Sequence, residues 1–138
     1  MPEPTSSISK RQLVVFVIRN DDGEYCLHFR DGNPGIIHPL QWSLFGGHKE
    51  PGEDFLQTAQ RELEEEMGIA VAGEDFDLVE TLDFPDRVYE IVECRRPINW
   101  SDITLNEGAG CGFFSGQELA RLENCSPLIE WLQKRAGA

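Results

Sequence analysis

Seven of the chain's 25 acidic residues fall in one stretch, Gly46–Ile69, which reads GGHKEPGEDFLQTAQRELEEEMGI. Asp54 reads there as a helix N-cap with Gln57 at capping-box spacing, and Gly68 as the stop, so the residues between them predict a helix. At about 100° per residue, Glu62, Glu65 and Glu66 share an arc of about 100°. Glu62 meets Glu65 at i,i+3 and Glu66 at i,i+4, and like charges so placed cost a helix about 0.2–0.5 kcal/mol per pair. Two readings follow from the spacing alone. The three carboxylates form an acidic face turned to water, or they hold a hard divalent cation such as Mg2+ or Mn2+, which takes carboxylate oxygens and relieves their repulsion.

A helix can aim those carboxylates only if its other side is anchored. Phe55, Leu56, Ala59, Leu63 and Met67 fall within roughly a third of its circumference, a stripe that faces a core. Around it the chain supplies strands. Gln12–Ile18, QLVVFVI, predicts a strand buried on both faces. The turn signal Asn20-Asp21-Asp22-Gly23 and the alternating Glu24–Arg30 then complete a hairpin with it. Asp31–Gln41 is rich in Gly and Pro and reads as a surface loop, with His38 a solvated loop histidine. Trp42–Phe45 predicts a short strand leading into a Gly46-Gly47 turn. Phe76–Phe84 and Arg87–Cys94 predict two strands joined at Pro85-Asp86, followed by a long loop over Arg95–Gly110 and a last strand at Gly112–Phe114. Ser115 and Glu118 form a second capping box opening a helix to Leu122, and Ser126-Pro127 opens a terminal helix with Leu128, Ile129, Trp131 and Leu132 on its apolar face. Strands mix with a few helices and nothing repeats, which predicts a single α/β (α+β) domain over residues 10–138 behind a mobile leader, Met1–Ser9.

Composition narrows the partners. With 138 residues, 40% of them hydrophobic, the chain has room for a core of its own. Its formal net charge of -13 argues against duplex nucleic acid or an anionic membrane as a partner, because a phosphate surface would be repelled. No apolar run is long enough to span a bilayer and no secretion signal opens the chain, so the expectation is a cytoplasmic protein, monomeric or homodimeric. Cys26, Cys94, Cys111 and Cys125 match no metal-binding spacing and read as reduced, packed thiols.

The acidic stretch resembles the Nudix box, Gly-x5-Glu-x7-Arg-Glu-U-x-Glu-Glu-x-Gly-U with U aliphatic. Gly47, Glu53, Arg61, Glu62, Leu63, Glu65, Glu66, Gly68 and Ile69 fill every defined position. At ordinary residue frequencies a chance match is on the order of one in a million. The wider pattern Trp-x3-Gly-Gly-x2-Glu-x-Gly-Glu also fits, through Trp42, Gly46, Gly47, Glu50, Gly52 and Glu53, with Phe45 where many members carry proline. Outside the box, Phe84-Pro85-Asp86-Arg87 and Glu107-Gly108 are similar to the MutT branch.

The resemblance implies an α/β/α sandwich around a mixed central sheet, and hydrolysis of a diphosphate bond in a nucleoside diphosphate linked to another group. It implies Mg2+ or Mn2+ held by Glu62, Glu65, Glu66 and the Gly46 carbonyl, with Arg61 orienting the glutamates and Glu53 a supporting ligand or water-holding group. The metal would neutralise pyrophosphate oxygens and activate a water, whose proton passes to Glu62 or to Glu107, a loop carboxylate that an ordinary solvated glutamate would equally explain. Arg87 and Asn124 match base-reading positions of the MutT branch, with a surface arginine and a turn asparagine as the plain readings of the same residues. The substrate expected is a nucleoside triphosphate, oxidised forms included. The spacing from Ile69 to Pro85 is shared with ADP-ribose pyrophosphatases, so ADP-ribose or another nucleotide sugar stands as the alternative, and a nucleotide-sensing module without catalysis as the reading from another class.

Overall fold

The computed structural model describes residues 10–29, 41–104 and 110–137. The leader, His38 and its loop, and Glu107-Gly108 lie outside the described residues. Seven strands and three helices follow in chain order: β1 Arg11–Val17, β2 Tyr25–Phe29, β3 Trp42–Ser43, β4 Phe45–His48, α1 Phe55–Met67, β5 Phe76–Asp83, β6 Arg87–Cys94, β7 Gly110–Phe114, α2 Gly116–Arg121 and α3 Pro127–Gly137. They form a four-stranded sheet in the order β4-β1-β6-β5 and a three-stranded sheet in the order β3-β2-β7. The larger sheet is mixed, with β1 parallel to β6 and antiparallel to β4.

β1 carries the layering. Val14 and Phe16 point to one face, where they pack with Ala59, Leu63 and Met67 of α1, together with Phe45 and Val92. Leu13, Val15 and Val17 point to the other, where Leu119, Leu128, Ile129 and Leu132 of α2 and α3 cover them. The result is an α/β/α sandwich. Burying a side chain such as Leu63 is worth about 1.5–3 kcal/mol. Three such residues on one stripe fix the rotation of α1, and with it the direction in which its glutamates face.

Two strand expectations are corrected. β1 and β2 do not form a hairpin ladder. The Cys26 amide donates to the Ile18 carbonyl at 2.9 Å and Arg19 bridges Tyr25, but the chains then separate into different sheets. β1 has both edges occupied, by β4 and β6, and cannot also pair along β2; the unbroken apolar run was the mark of such an interior strand. The second correction concerns Trp42–Phe45, which is two strand ends rather than one strand: Trp42-Ser43 pairs with β2, and after Leu44 the chain joins β1 in the other sheet. Gly46 and Gly47 are therefore strand residues of β4, not a turn.

The helix ends match their local signals. Asp54 accepts from the Gln57 amide at 2.8 Å while the Gln57 side chain accepts from the Asp54 amide at 2.9 Å, and Gly68 ends α1 in the left-handed region at φ 69. Ser115 and Glu118 close the same box on α2. No disulfide joins the four cysteines. No helix among the described residues is long and apolar enough to cross a membrane.

Candidate active site

The site forms where α1 passes the edge strand β4. The Lys49 amide donates to the Gln12 carbonyl at 2.8 Å, so the antiparallel alternation makes Val14/Gly47 and Phe16/Phe45 the bonded pairs and leaves Val15/Gly46 and Leu13/His48 unbonded. The amides and carbonyls of Gly46 and His48 consequently point off the edge of the sheet, away from β1. Side chains take them up: the Gly46 amide donates to Glu66 Oε1 at 3.2 Å, and the His48 carbonyl accepts from Arg61 Nη2 at 2.9 Å. The Gly46 carbonyl lies on the same side as its amide, facing the gap that Glu66 enters.

The glycine pair is required by space. A Cβ on Gly46 would overlap the Val14 carbonyl and the Val15 backbone, and a Cβ on Gly47 would overlap the carboxylate of Glu62. The hollow left by Gly47 is therefore the seat of Glu62. We expect Gly47→Ala to fold, because the obstructed group is the end of a flexible side chain, yet to lose most activity by displacing Glu62. Steady-state rates beside a thermal melt check this; a melt close to that of the unaltered protein with a rate lowered about 100-fold is the expected result.

Arg61 is the hub. Its Nε meets Glu53 Oε2 at 2.7 Å, its Nη2 meets Glu53 Oε1 at 3.1 Å, and its Nη1 meets Glu62 Oε2 at 3.0 Å and Glu65 Oε1 at 3.3 Å. Glu50 stands within ion-pair range at 3.7 Å. One cation thus faces four carboxylates, and a planar fork with several donors is the side chain suited to it. The hydrogen bonds from Arg61, then that from the Glu50 amide, hold the Glu53 carboxyl down at about 2, and Glu53 in turn holds the guanidinium protonated well above its ordinary range. Thr58 adds a hydroxyl donated to Glu53 Oε1 at 2.9 Å.

The three glutamates sit at graded depth. Glu66 is buried, with 6% of its surface exposed, the Glu62 side chain is 14% exposed, and the Glu65 side chain is 53% exposed at the rim. Among the described residues no three His, Cys, Asp or Glu side chains are gathered into a ready ion cage, since Arg61 holds Glu62 and Glu65 while Glu66 turns to Gly46. The donor set still suits a hard cation: the side-chain donors of Glu62, Glu65 and Glu66 are all oxygen and rich in negative charge.

Arg87 and Asn124 stand apart from this cluster. Arg87 opens β6 and is clamped by Asp86, at 3.0 and 2.6 Å, so that Asp86 lies below its usual range and Arg87 above its own. Its alternation follows Tyr89 and Ile91, on the sheet face opposite α1. From the strand registers it lies roughly 16 Å from Gly46, counting four residues along and two strands across. Asn124 occupies the left-handed region at φ 59 between α2 and α3, and its carbonyl accepts from the Trp42 amide at 3.0 Å.

Sequence reasoning missed Thr58, the His48 carbonyl and the flank of Gly46 formed by Phe45 and His28. A buried threonine between Glu53 and Arg61 was the one available signal, and the other two depend on strand pairing.

Comparison with known proteins bears on the same segment. The sequence model of the NUDIX domain matches residues 9–107. The nucleoside triphosphatase NudI of Salmonella agona (strain SL483) is 42% identical over 59 residues, a stretch that spans 43% of this chain and 40% of that relative. Among solved structures, the MutT NUDIX hydrolase from Burkholderia pseudomallei superposes with a TM-score of 0.75 at 20% identity, over 91% of this chain and 97% of its own. The MutT protein from Methanosarcina mazei Go1 gives 0.73 at 21% identity, over 93% of each. At such identities the structural likeness speaks for the fold.

Proposed function

The chain belongs to the NUDIX domain family, and from that premise we propose that it is a Mg2+- or Mn2+-dependent hydrolase that cleaves a diphosphate bond of a nucleoside triphosphate. The observation that carries the proposal is the seating of Glu62 and Glu66 against the Gly46–Gly47 backbone, with Arg61 bonded to Glu62, Glu65 and Glu53. Glu62, Glu65, Glu66 and the Gly46 carbonyl would hold the metal, which when bound neutralises phosphate oxygens and lowers the pKa of water.

The chain's own residues then divide the work. Glu62 accepts the proton of the attacking water; Arg61 sets its angle and keeps it apart from Glu65. Glu53 is unsuited to that task, because Arg61, Thr58 and the Glu50 amide occupy its oxygens and hold its carboxyl at about 2. It positions Arg61 instead. Glu107, outside the described residues, is the second candidate for the base. Arg87 and Asn124 are proposed to meet the base of a nucleotide that reaches across the sheet edge. The likeness to a protein named nucleoside triphosphatase favours a triphosphate over ADP-ribose.

Turnover of a panel tests the substrate class. Ribonucleoside and deoxynucleoside triphosphates, 8-oxo-dGTP, ADP-ribose, UDP-glucose and diadenosine tetraphosphate are offered under Mg2+ and under Mn2+. The triphosphates are expected to give the highest kcat/KM. Preference for ADP-ribose would replace the substrate assignment and keep the site, whereas Mg2+-dependent thermal stabilisation with no turnover would leave only a sensing role.

A further inference from the structure

Two consecutive glycines are the freest backbone a strand can contain, yet Gly46 must hold Glu66 through its amide and present its carbonyl to the same gap. Neither glycine has a side chain to pin it. On the β1 side the ladder fixes Gly47 opposite Val14, and downstream Arg61 fixes the His48 carbonyl. The upstream flank is Phe45. It is buried, and its ring lies flat on the imidazole of His28, with centroids 4.2 Å apart and planes 10° from parallel.

His28 belongs to the other sheet. It is buried in β2, in register with Ser43 on one side and Cys111 on the other. Leu44, between Ser43 and Phe45, is where the chain crosses from that sheet to the one holding Gly46. The stack is thus a strut between the two sheets, placed one residue before the backbone that meets Glu66. A ring pair resists sliding and tilting in a way that an aliphatic contact of equal area does not, because the quadrupoles favour one offset.

We infer that His28 is a positioning residue for the catalytic centre, acting through Phe45 to fix the Gly46 amide and carbonyl. The inference rests on the reading of that centre as a metal site. Its test is Mn2+ binding without nucleotide, followed by the electron paramagnetic resonance signal of free Mn2+, together with kcat and KM for dGTP. His28→Ala and Phe45→Leu, each checked by far-ultraviolet circular dichroism, are expected to weaken Mn2+ binding about tenfold and lower kcat, with KM within twofold. His28→Phe, which keeps a flat ring, is expected to restore Mn2+ affinity to within twofold of the unaltered protein. Leu132→Ala, a core truncation on the far face, is expected to lower the melting temperature and leave Mn2+ affinity alone.

Unchanged Mn2+ affinity in folded His28→Ala and Phe45→Leu would overturn the inference, as would failure of His28→Phe to rescue or an equal loss in Leu132→Ala. If the unaltered protein bound no Mn2+, the metal-site reading itself would fall, a result visible before any variant is compared.

Discussion

Glu62→Gln is expected to leave the fold intact and lower kcat by about 10²–10⁴-fold, the range that a positioned general base contributes. The substitution keeps the volume that fills the hollow at Gly47 and removes only the charge and the proton-accepting oxygen. Arg61 retains Glu53 at 2.7 Å and Glu65 at 3.3 Å, so the hub survives. Because Glu62 is also a proposed ligand, the rate is measured at saturating Mn2+, where a loss of affinity alone would be recovered and a loss of the base would not. Near-full activity in Glu62→Gln under those conditions would remove Glu62 from the role of base and pass it to Glu107, to be tested by the same substitution there.

Arg61→Ala carries the second large effect. Without the guanidinium, Glu50, Glu53, Glu62 and Glu65 face one another with no cation between them. Half-exposed ion pairs are worth little singly, but this one is a bidentate, partly buried network. We expect a loss of about 1–3 kcal/mol in unfolding free energy, between the values for exposed and buried pairs. The accompanying loss in kcat is expected to be about 100-fold, from misaimed glutamates. Added Mg2+ should return part of the stability, since an ion that binds only the folded state raises it by mass action. Arg61→Lys is expected to resemble Arg61→Ala more than the unaltered protein, because one ammonium cannot span both Glu53 oxygens, Glu62 and the His48 carbonyl together. Urea unfolding with and without Mg2+, beside steady-state rates, reads all three quantities; a fully active Arg61→Lys would show that charge alone suffices.

What the sequence disclosed was mostly local. The capping boxes of Asp54–Gln57 and Ser115–Glu118 and the left-handed Gly68 depend on neighbours within a few residues, and each is found as expected. The β5–β6 hairpin followed from the same kind of signal. Strand partnership was not legible, because it is set by residues far apart in the chain. The apolar run Gln12–Ile18 marks an interior strand but does not say which strands occupy its edges, and nothing within Trp42–Gly47 marks Leu44 as the crossing point between sheets. The glutamates were legible as a pattern, and Arg61 as part of it, but the reason for Gly47 was not. That reason is the carboxylate of Glu62 lying in its place, fifteen residues away along the sequence and directly against it in the fold.

The central claim is metal-dependent hydrolysis of a diphosphate bond at the Glu62–Glu66–Gly46 site. Its most direct measurement is separation of products by ion-exchange chromatography after incubation with nucleoside triphosphates, with Mg2+, with Mn2+ and with EDTA, for the unaltered protein and Glu62→Gln. The predicted result is nucleoside monophosphate and pyrophosphate with either metal, none with EDTA, and a small remainder with Glu62→Gln. Absence of turnover across the whole nucleotide panel under both metals would contradict it, and so would products formed equally well with EDTA.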